Sequence, residues 1–340
     1  MRALITGITG FVGSHLAEYI LENHTEVEVA GFIRWRSPKV NIEGVLNKIT
    51  LYYGNLLDFP SVRSTLVEYK PDVIFHLAAQ SFVDFSFLAP IETLGTNIVG
   101  TCNLLEAVKQ LKQSDSYNPV IHICSSSEVY GQVTEDEVPI KESNPLRPAS
   151  PYAVSKVGED MLAFQYWCSW KIKTIRSRMF THTGPRRGEV FVVSNFSRQI
   201  AMIEAQLAEP VVKVGNLDSV RTFSDVRDAV RAYWILVDSC PPGEVYNIGG
   251  VETMTVGQML EQLLTMSTVA DIKIEVDQAR LRPSDVTLQI PCVEKFYKAT
   301  GWKPQIKFEK TLRDTLDYWR GYYREKQKTE QNQRVESTVL

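Results

Sequence analysis

Short apolar, β-branched runs alternate with longer amphipathic stretches over the first half of the chain. The spacing predicts strands at Ala3–Thr6, Val27–Ile33, Thr50–Tyr53, Val73–Leu77, Val120–Cys124 and Thr174–Arg178. Helical periodicity lies between them, at Val12–Leu21, Ser61–Glu68, Ile91–Leu111 and Tyr152–Trp170. Alternation of this kind implies an α/β, doubly wound parallel sheet covered on both faces by right-handed crossovers. Beyond about residue 180 the pattern shortens into helices at Val190–Ala205, Ser224–Val237 and Thr255–Met266 and strands at Val211–Val214 and Val245–Ile248. A first domain over residues 1–180 is therefore expected, followed by a smaller mixed α/β C-terminal lobe over 181–320 interleaved with the first at its edges. Residues 321–340 lose apolar periodicity and are expected to be a frayed polar tail.

Composition narrows the class. The 340 residues are 44% hydrophobic and 23% charged, values of an ordinary globular protein that folds without metal or disulfide support. Thirty-seven basic and 40 acidic residues leave a net charge of −3, which argues against nonspecific nucleic-acid binding. The five cysteines are scattered without CxxC spacing and suit a reducing compartment. The first residues, MRALIT, read as a core strand without a signal-peptide layout, and no apolar run is long enough to span a membrane. The expected location is the cytoplasm.

The first strand ends in Gly7-Ile-Thr-Gly10-Phe-Val-Gly13 and leads straight into a helix. Glycines here allow a tight turn and close approach of a pyrophosphate to the helix N-terminus. A glycine-rich structural turn reads the same way by itself; its place after the first strand favours dinucleotide binding. Strand two ends Gly31-Phe-Ile-Arg34-Trp-Arg36-Ser37, with two arginines where an acid would hold a free 2′-hydroxyl. Arginine suits a 2′-phosphate, so NADP is expected over NAD, the alternative being two solvated loop cations. Asp58, at the end of Asn55-Leu-Leu-Asp58, is expected at the adenine edge.

Ser125-Ser-Ser-Glu128-Val-Tyr130-Gly131 follows strand five, and Ser150-Pro151-Tyr152-Ala-Val-Ser-Lys156 opens a helix. Tyr152 and Lys156 are four apart and share a helical face. The ammonium is expected to lower the phenol's pKa, which equips the pair to move a proton at a sugar hydroxyl. His76, His122 and His182 lack metal-ligand spacing and read as core or cleft residues, so no metal is expected.

In order, GITGFVG, NLLD, His76-Leu-Ala-Ala-Gln80, Thr96-Asn97-Ile-Val-Gly-Thr101, SSSEVYG and YAVSK resemble the extended short-chain dehydrogenase/reductase family over about residues 1–320. The IRWRS, SSSEVYG and Gly184-Pro-Arg186-Arg187-Gly-Glu189 segments look like its GDP-mannose 4,6-dehydratase branch. The run from Val211 to Trp234 looks closer to the related GDP-4-keto-6-deoxy-mannose reductases. Thr181-His182 departs from the Asn-His common in the family.

The resemblance implies oxidation of a GDP-hexose at C4, loss of water across C5 and C6, and return of hydride to C6, with GDP-mannose as the expected substrate. It assigns Tyr152 as C4 base, Lys156 as holder of phenolate and ribose, Ser126 as a hydrogen bond to the C4 oxygen and Glu128 as base at C5. A capping carboxylate is the other reading of Glu128. NADP is expected against Gly7, Gly10, Phe11, Val12, Gly13, Arg34, Arg36, Leu57, Asp58, Leu77, Ala78, Tyr152, Lys156 and Arg187. The GDP-sugar is expected against Gln80, Ser127, Asn195, Gly215, Arg221, Arg282 and Asp285. Arg186 and Arg187 resemble a loop that reaches a neighbouring subunit's cofactor, implying a homodimer or homotetramer. The alternatives are the 4-keto reductase, a dehydratase of a related sugar such as a GDP-manno-heptose, and a non-catalytic NADP sensor.

Overall fold

The computed structural model describes residues 1–280 and 286–338, with side chains described to Thr329. In the first half β1 (Arg2–Thr6), β2 (Glu28–Ile33), β3 (Thr50–Tyr53), β4 (Val73–His76), β5 (Val120–Ser126) and β6 (Thr174–Met179) are laid down between helices. These are α1 (Phe11–Asn23), α2 (Phe59–Tyr69), α3 (Val83–Leu88), α4 (Pro90–Leu94), α5 (Gly100–Asp115) and α6 (Pro151–Trp170). The helix expected over Ile91–Leu111 carries a π-helical turn, Gly95–Val99, between α4 and α5.

The second half supplies β7 (His182–Thr183), α7 (Val192–Glu204), β8 (Val211–Val214), β9 (Val220–Thr222), β10 (Ser224–Asp225) and α8 (Val226–Ser239). Then come β11 (Val245–Ile248), β12 (Thr253–Thr255), α9 (Val256–Thr265), β13 (Lys273–Val276), β14 (Leu288–Gln289), α10 (Glu294–Thr300) and α11 (Phe308–Thr338). Thr255 caps α9 as expected, accepting from the Gln258 N–H while Gln258 returns a bond to the cap.

Seven parallel strands form the main sheet in the order β11-β6-β5-β4-β1-β2-β3. The order reverses between β1 and β4, the switch point at which such a sheet opens a crevice beyond its carboxyl edge. On one face Leu16 and Ile20 of α1 pack with Tyr233 and Trp234 of α8 against Ile5, Phe75 and Ile175. On the other, Leu66, Leu104, Val108 and Ala163 cover Leu4, Ile74 and Ile121. Each large side chain buried in these layers contributes roughly 1.5–3 kcal/mol of transfer free energy. Both α8 and β11 come from beyond residue 180, so the interleaving of the two halves is a shared layer and a shared sheet edge. β11 pairs along β6, with Asn247 opposite Arg178.

The lobe has its own core, where Phe196 and Ile200 of α7 meet Val212, Leu260, Leu312 and Trp319. The tail expected to fray from Gly321 is instead the continuation of α11 through Thr338. Trp319 and Tyr323, one turn apart, keep a buried stripe on the helix (Tyr323 is 5% exposed), although the residues around them are polar.

Candidate active site

The cleft at the carboxyl edge of the main sheet holds about 1640 Å³. That exceeds the roughly 300–1,000 Å³ of a site for one drug-sized ligand. Its floor is the glycine turn. Gly7 has φ +75°, and a Cβ there would sit 2.9 Å from the Ala78 Cα. A Cβ on Gly13 would come within 2.3 Å of the Gly7 carbonyl oxygen. Gly10 caps α1 with no side-chain acceptor, and no acid lies in the first turn. Free N–H groups and the positive helix end thus face the cleft, a cradle that fits a pyrophosphate.

Phe11, Val12, Leu57, Leu77 and Ala78 line the same wall, and so does Arg34. Arg36 does not, contrary to expectation. The chain reverses after β2, with the Ser37 N–H donating to the Arg34 carbonyl at 3.0 Å. Arg36 is left exposed while Ser37 joins the cleft wall. Asp58 also fails to reach the cleft. Its carboxylate accepts the Ser61 N–H at 3.1 Å and caps α2, satisfying a free helix donor. Asn55 occupies the wall nearby.

The centre is built from β5 and α6. Ser150 accepts the Ala153 N–H at 3.1 Å and Pro151 takes the first turn, so α6 starts where it presents Tyr152 and Lys156 to the strand end. Asp160, fully buried one turn later, takes Arg176 (2.9 Å) and Arg178 (2.8 Å) from β6, which locks helix to sheet. Lys156 Nζ donates to the Cys124 carbonyl and to Glu159 Oε2, both at 3.0 Å, and lies 5.9 Å from the Tyr152 ring centroid.

Burial works against the ammonium, yet Glu159 foremost, together with Tyr152 and Cys124, more than offsets it and the proton is held more tightly than in water. Tyr152 departs from the expected direction. Burial raises its pKa, and the nearby Lys156 opposes that rise without reversing it. Burial also pushes Glu159 up to about 7, against the pull of Lys156. Ser126 and Ser127 line the cleft, and the Ser126 hydroxyl accepts the Glu128 N–H at 3.2 Å. Glu128, expected at C5 of a sugar, lines the cleft with its Oε1 accepting Gln289 Nε2–H at 2.9 Å.

Arg187 lies in the wall with its guanidinium 3.5 Å from the Phe191 ring centroid and 4.9 Å from that of Phe11. Arg186 points elsewhere within its own chain, to Glu18 at 2.8 Å and the Asn41 carbonyl at 2.8 Å. His182 stacks on Phe11 and donates from Nδ1 to the Phe180 carbonyl, and burial lowers its pKa to about 3. Gln80 lines the cleft, but its amide is taken up by Phe82 and Thr93, and its backbone is clamped by Asn97 from the π turn. Asn195, Gly215 and Arg221 line the lobe side. Arg282 and Asp285 lie outside the described residues. Ser37, Asn55 and Asn97 stand inside motifs read from the sequence but carried no assigned role there, and Glu159 and Gln289 were not singled out. The Glu159 signal was available, one helical turn after Lys156, whereas Gln289 sits in a short strand with no motif around it.

This arrangement has close counterparts. The family described as GDP-mannose 4,6 dehydratase matches residues 4–315. The chain belongs to that family. The chain is similar to a GDP-6-deoxy-D-mannose reductase of Pseudomonas aeruginosa, 33% identical over 95% of this chain and 99% of the relative. A GDP-mannose 4,6-dehydratase of Vibrio cholerae is 32% identical over 92% of each chain. The solved structure of RMD from Pseudomonas aeruginosa with NADPH superposes with a TM-score of 0.81 at 30% identity, covering 94% of this chain and 99% of that one. A Thermus thermophilus UDP-glucose 4-epimerase with NAD reaches the same TM-score at 28% identity, covering 94% and 99%.

Proposed function

We propose that this GDP-mannose 4,6-dehydratase family member is itself a nucleotide-sugar 4,6-dehydratase, converting GDP-mannose to GDP-4-keto-6-deoxy-mannose with a bound NADP. The observation that carries the reading is one cleft lined at once by Ser126, Glu128, Tyr152 and Lys156 and by the glycine turn. Gly7, Gly10 and Gly13 would hold the pyrophosphate, Arg34 and Ser37 the 2′-phosphate, and Lys156 the ribose. When bound at these residues, the cofactor would supply the hydride acceptor for C4 and the hydride donor for C6. Tyr152 takes the proton of the C4 hydroxyl, with Ser126 bonding the oxygen as it becomes a carbonyl. The C5 proton, now acidic, passes to Glu128. Glu128 protonates the departing C6 hydroxyl, the C6–O bond breaks and water leaves; Tyr152 then gives the proton it took from the C4 hydroxyl to C5 as C6 is reduced, which returns both residues to their starting states. Arg221, Asn195 and Gly215 line the side expected to take the GDP moiety, with Arg282 and Asp285 as proposed partners.

Purified protein incubated with GDP-mannose and no added cofactor should yield a ketosugar lighter by one water. Unchanged GDP-mannose would count against the reading. The second reading, a 4-keto reductase, is favoured by the 33% identity to the Pseudomonas aeruginosa reductase. It requires stoichiometric NADPH consumption, which absorbance distinguishes from a recycled cofactor.

A homo-oligomer belongs to the same proposal. Val154, Met161 and Phe164 lie exposed along α6, and Leu88 and Ile91 near it are 83% and 81% exposed. Apolar surface of this kind is commonly covered by a partner. The five cysteines are free thiols, which supports a cytoplasmic setting. No helix among the described residues is long and apolar enough to cross a membrane.

A further inference from the structure

We infer that Gln289 is a positioning residue for Glu128 and that it ties the carboxylate to Arg221. The inference rests on the dehydratase reading above. Gln289 is 2% exposed and borders the cleft from the lobe side. Its Nε2 donates to Glu128 Oε1 at 2.9 Å, and its Oε1 accepts from Arg221 Nη1 at 2.7 Å. Among the described residues it is the side chain that donates to this carboxylate. The amide has one workable orientation, because a carboxylate can only accept and a guanidinium can only donate.

The backbone behind Gln289 is pinned. β14 pairs with β9, setting Gln289 opposite Arg221. The Val220 N–H donates to the Thr287 carbonyl, and the Ile140 N–H to the Ile290 carbonyl, both at 2.7 Å. Arg221 is held in turn by the Val286 carbonyl at 2.7 Å. A base that takes a carbon-bound proton gains from being held in one place before substrate arrives, since misplacement of about 1 Å can cost roughly 100-fold in rate. Glu128 stands on a single 3-10 turn, Ser127–Tyr130, and its side chain crosses to the lobe to find this partner. Gln289 therefore makes the base a joint product of both halves of the molecule: the first domain supplies the carboxylate and the lobe aims it.

The test uses the whole purified protein with GDP-mannose in D2O, reading turnover and deuterium incorporation at C5 across pH. Gln289→Leu, similar in size but without the donor, should lose at least 10-fold in kcat and in C5 exchange, with KM changed less than 3-fold. Gln289→Glu keeps the shape and the Arg221 contact but sets a second carboxylate against Glu128. It should move the acidic limb of the pH profile upward by a unit or more. A purely structural role would lower folded protein without moving that limb, so an unshifted limb in Gln289→Glu overturns the inference. So does a folded Gln289→Leu with wild-type kcat. Wild-type protein that neither dehydrates GDP-mannose nor exchanges C5 overturns the dehydratase reading, and this inference falls with it.

Discussion

Lys156 Nζ and Glu159 Oε2 stand 3.0 Å apart, both nearly sealed from solvent, one turn from each other on α6. Oε1 of Glu159 has no hydrogen-bond partner among the described residues. A buried carboxylate so placed partly cancels the ammonium that should favour the Tyr152 phenolate, and it is one of the charges that raise the phenol's pKa.

Glu159→Gln should therefore lower the pKa of Tyr152 and shift the limb that reports its deprotonation to lower pH in a kcat/KM profile. Glu159→Ala should cost about 3–5 kcal/mol in denaturant unfolding, because the buried ammonium loses its partner. A profile that stays in place in a folded Glu159→Gln would show that the pair does not act on Tyr152.

Tyr152→Phe keeps the ring and removes the proton carrier. Turnover should fall by roughly 100- to 10,000-fold, while NADPH binding followed by fluorescence stays within a few-fold of wild type. Unchanged turnover would put the proton transfer elsewhere.

The two arginines after β2 should separate cleanly. Arg34→Ala should weaken NADPH by roughly 10- to 100-fold, the scale of a charged hydrogen bond, and leave NADH nearly unaffected. Arg36→Ala, outside the cleft, should change neither. Fluorescence titration of both variants with both cofactors decides it.

His76 gives a pH dependence. Thr101 donates to the Asn97 carbonyl and so accepts from His76 Nε2–H, which leaves Nδ1 to accept from the Thr6 hydroxyl. A second proton has no acceptor, and burial lowers the pKa from 6.5 to about 3. Between these values the unfolded chain binds more protons, so the contribution is complete above about pH 6.5 and is lost as pH falls. His76→Gln should flatten the slope of stability by about 1.4 kcal/mol per pH unit between pH 6 and 4. Urea melts across that range measure it. The fully buried His122, also lowered to about 3, should behave alike.

The local facts were written in the chain: strand and helix alternation, the glycine turn, the Ser150-Pro151 start of α6, and the four-residue spacing that sets Tyr152 beside Lys156. Periodicity and capping act between near neighbours, so a sequence carries them openly. What depends on distant segments was decided by tertiary structure. Arg36 and Asp58 look like cofactor ligands in sequence, yet a chain reversal and an open helix end claim them. Burial, which no spacing encodes, outweighs the ammonium at Tyr152. Trp319 and Tyr323 continue a helix through residues too polar to announce one, because α7 is there to cover them. The contact between Glu128 and Gln289 joins positions in different halves of the chain, and only the docking of the lobe on the sheet edge brings them within a hydrogen bond.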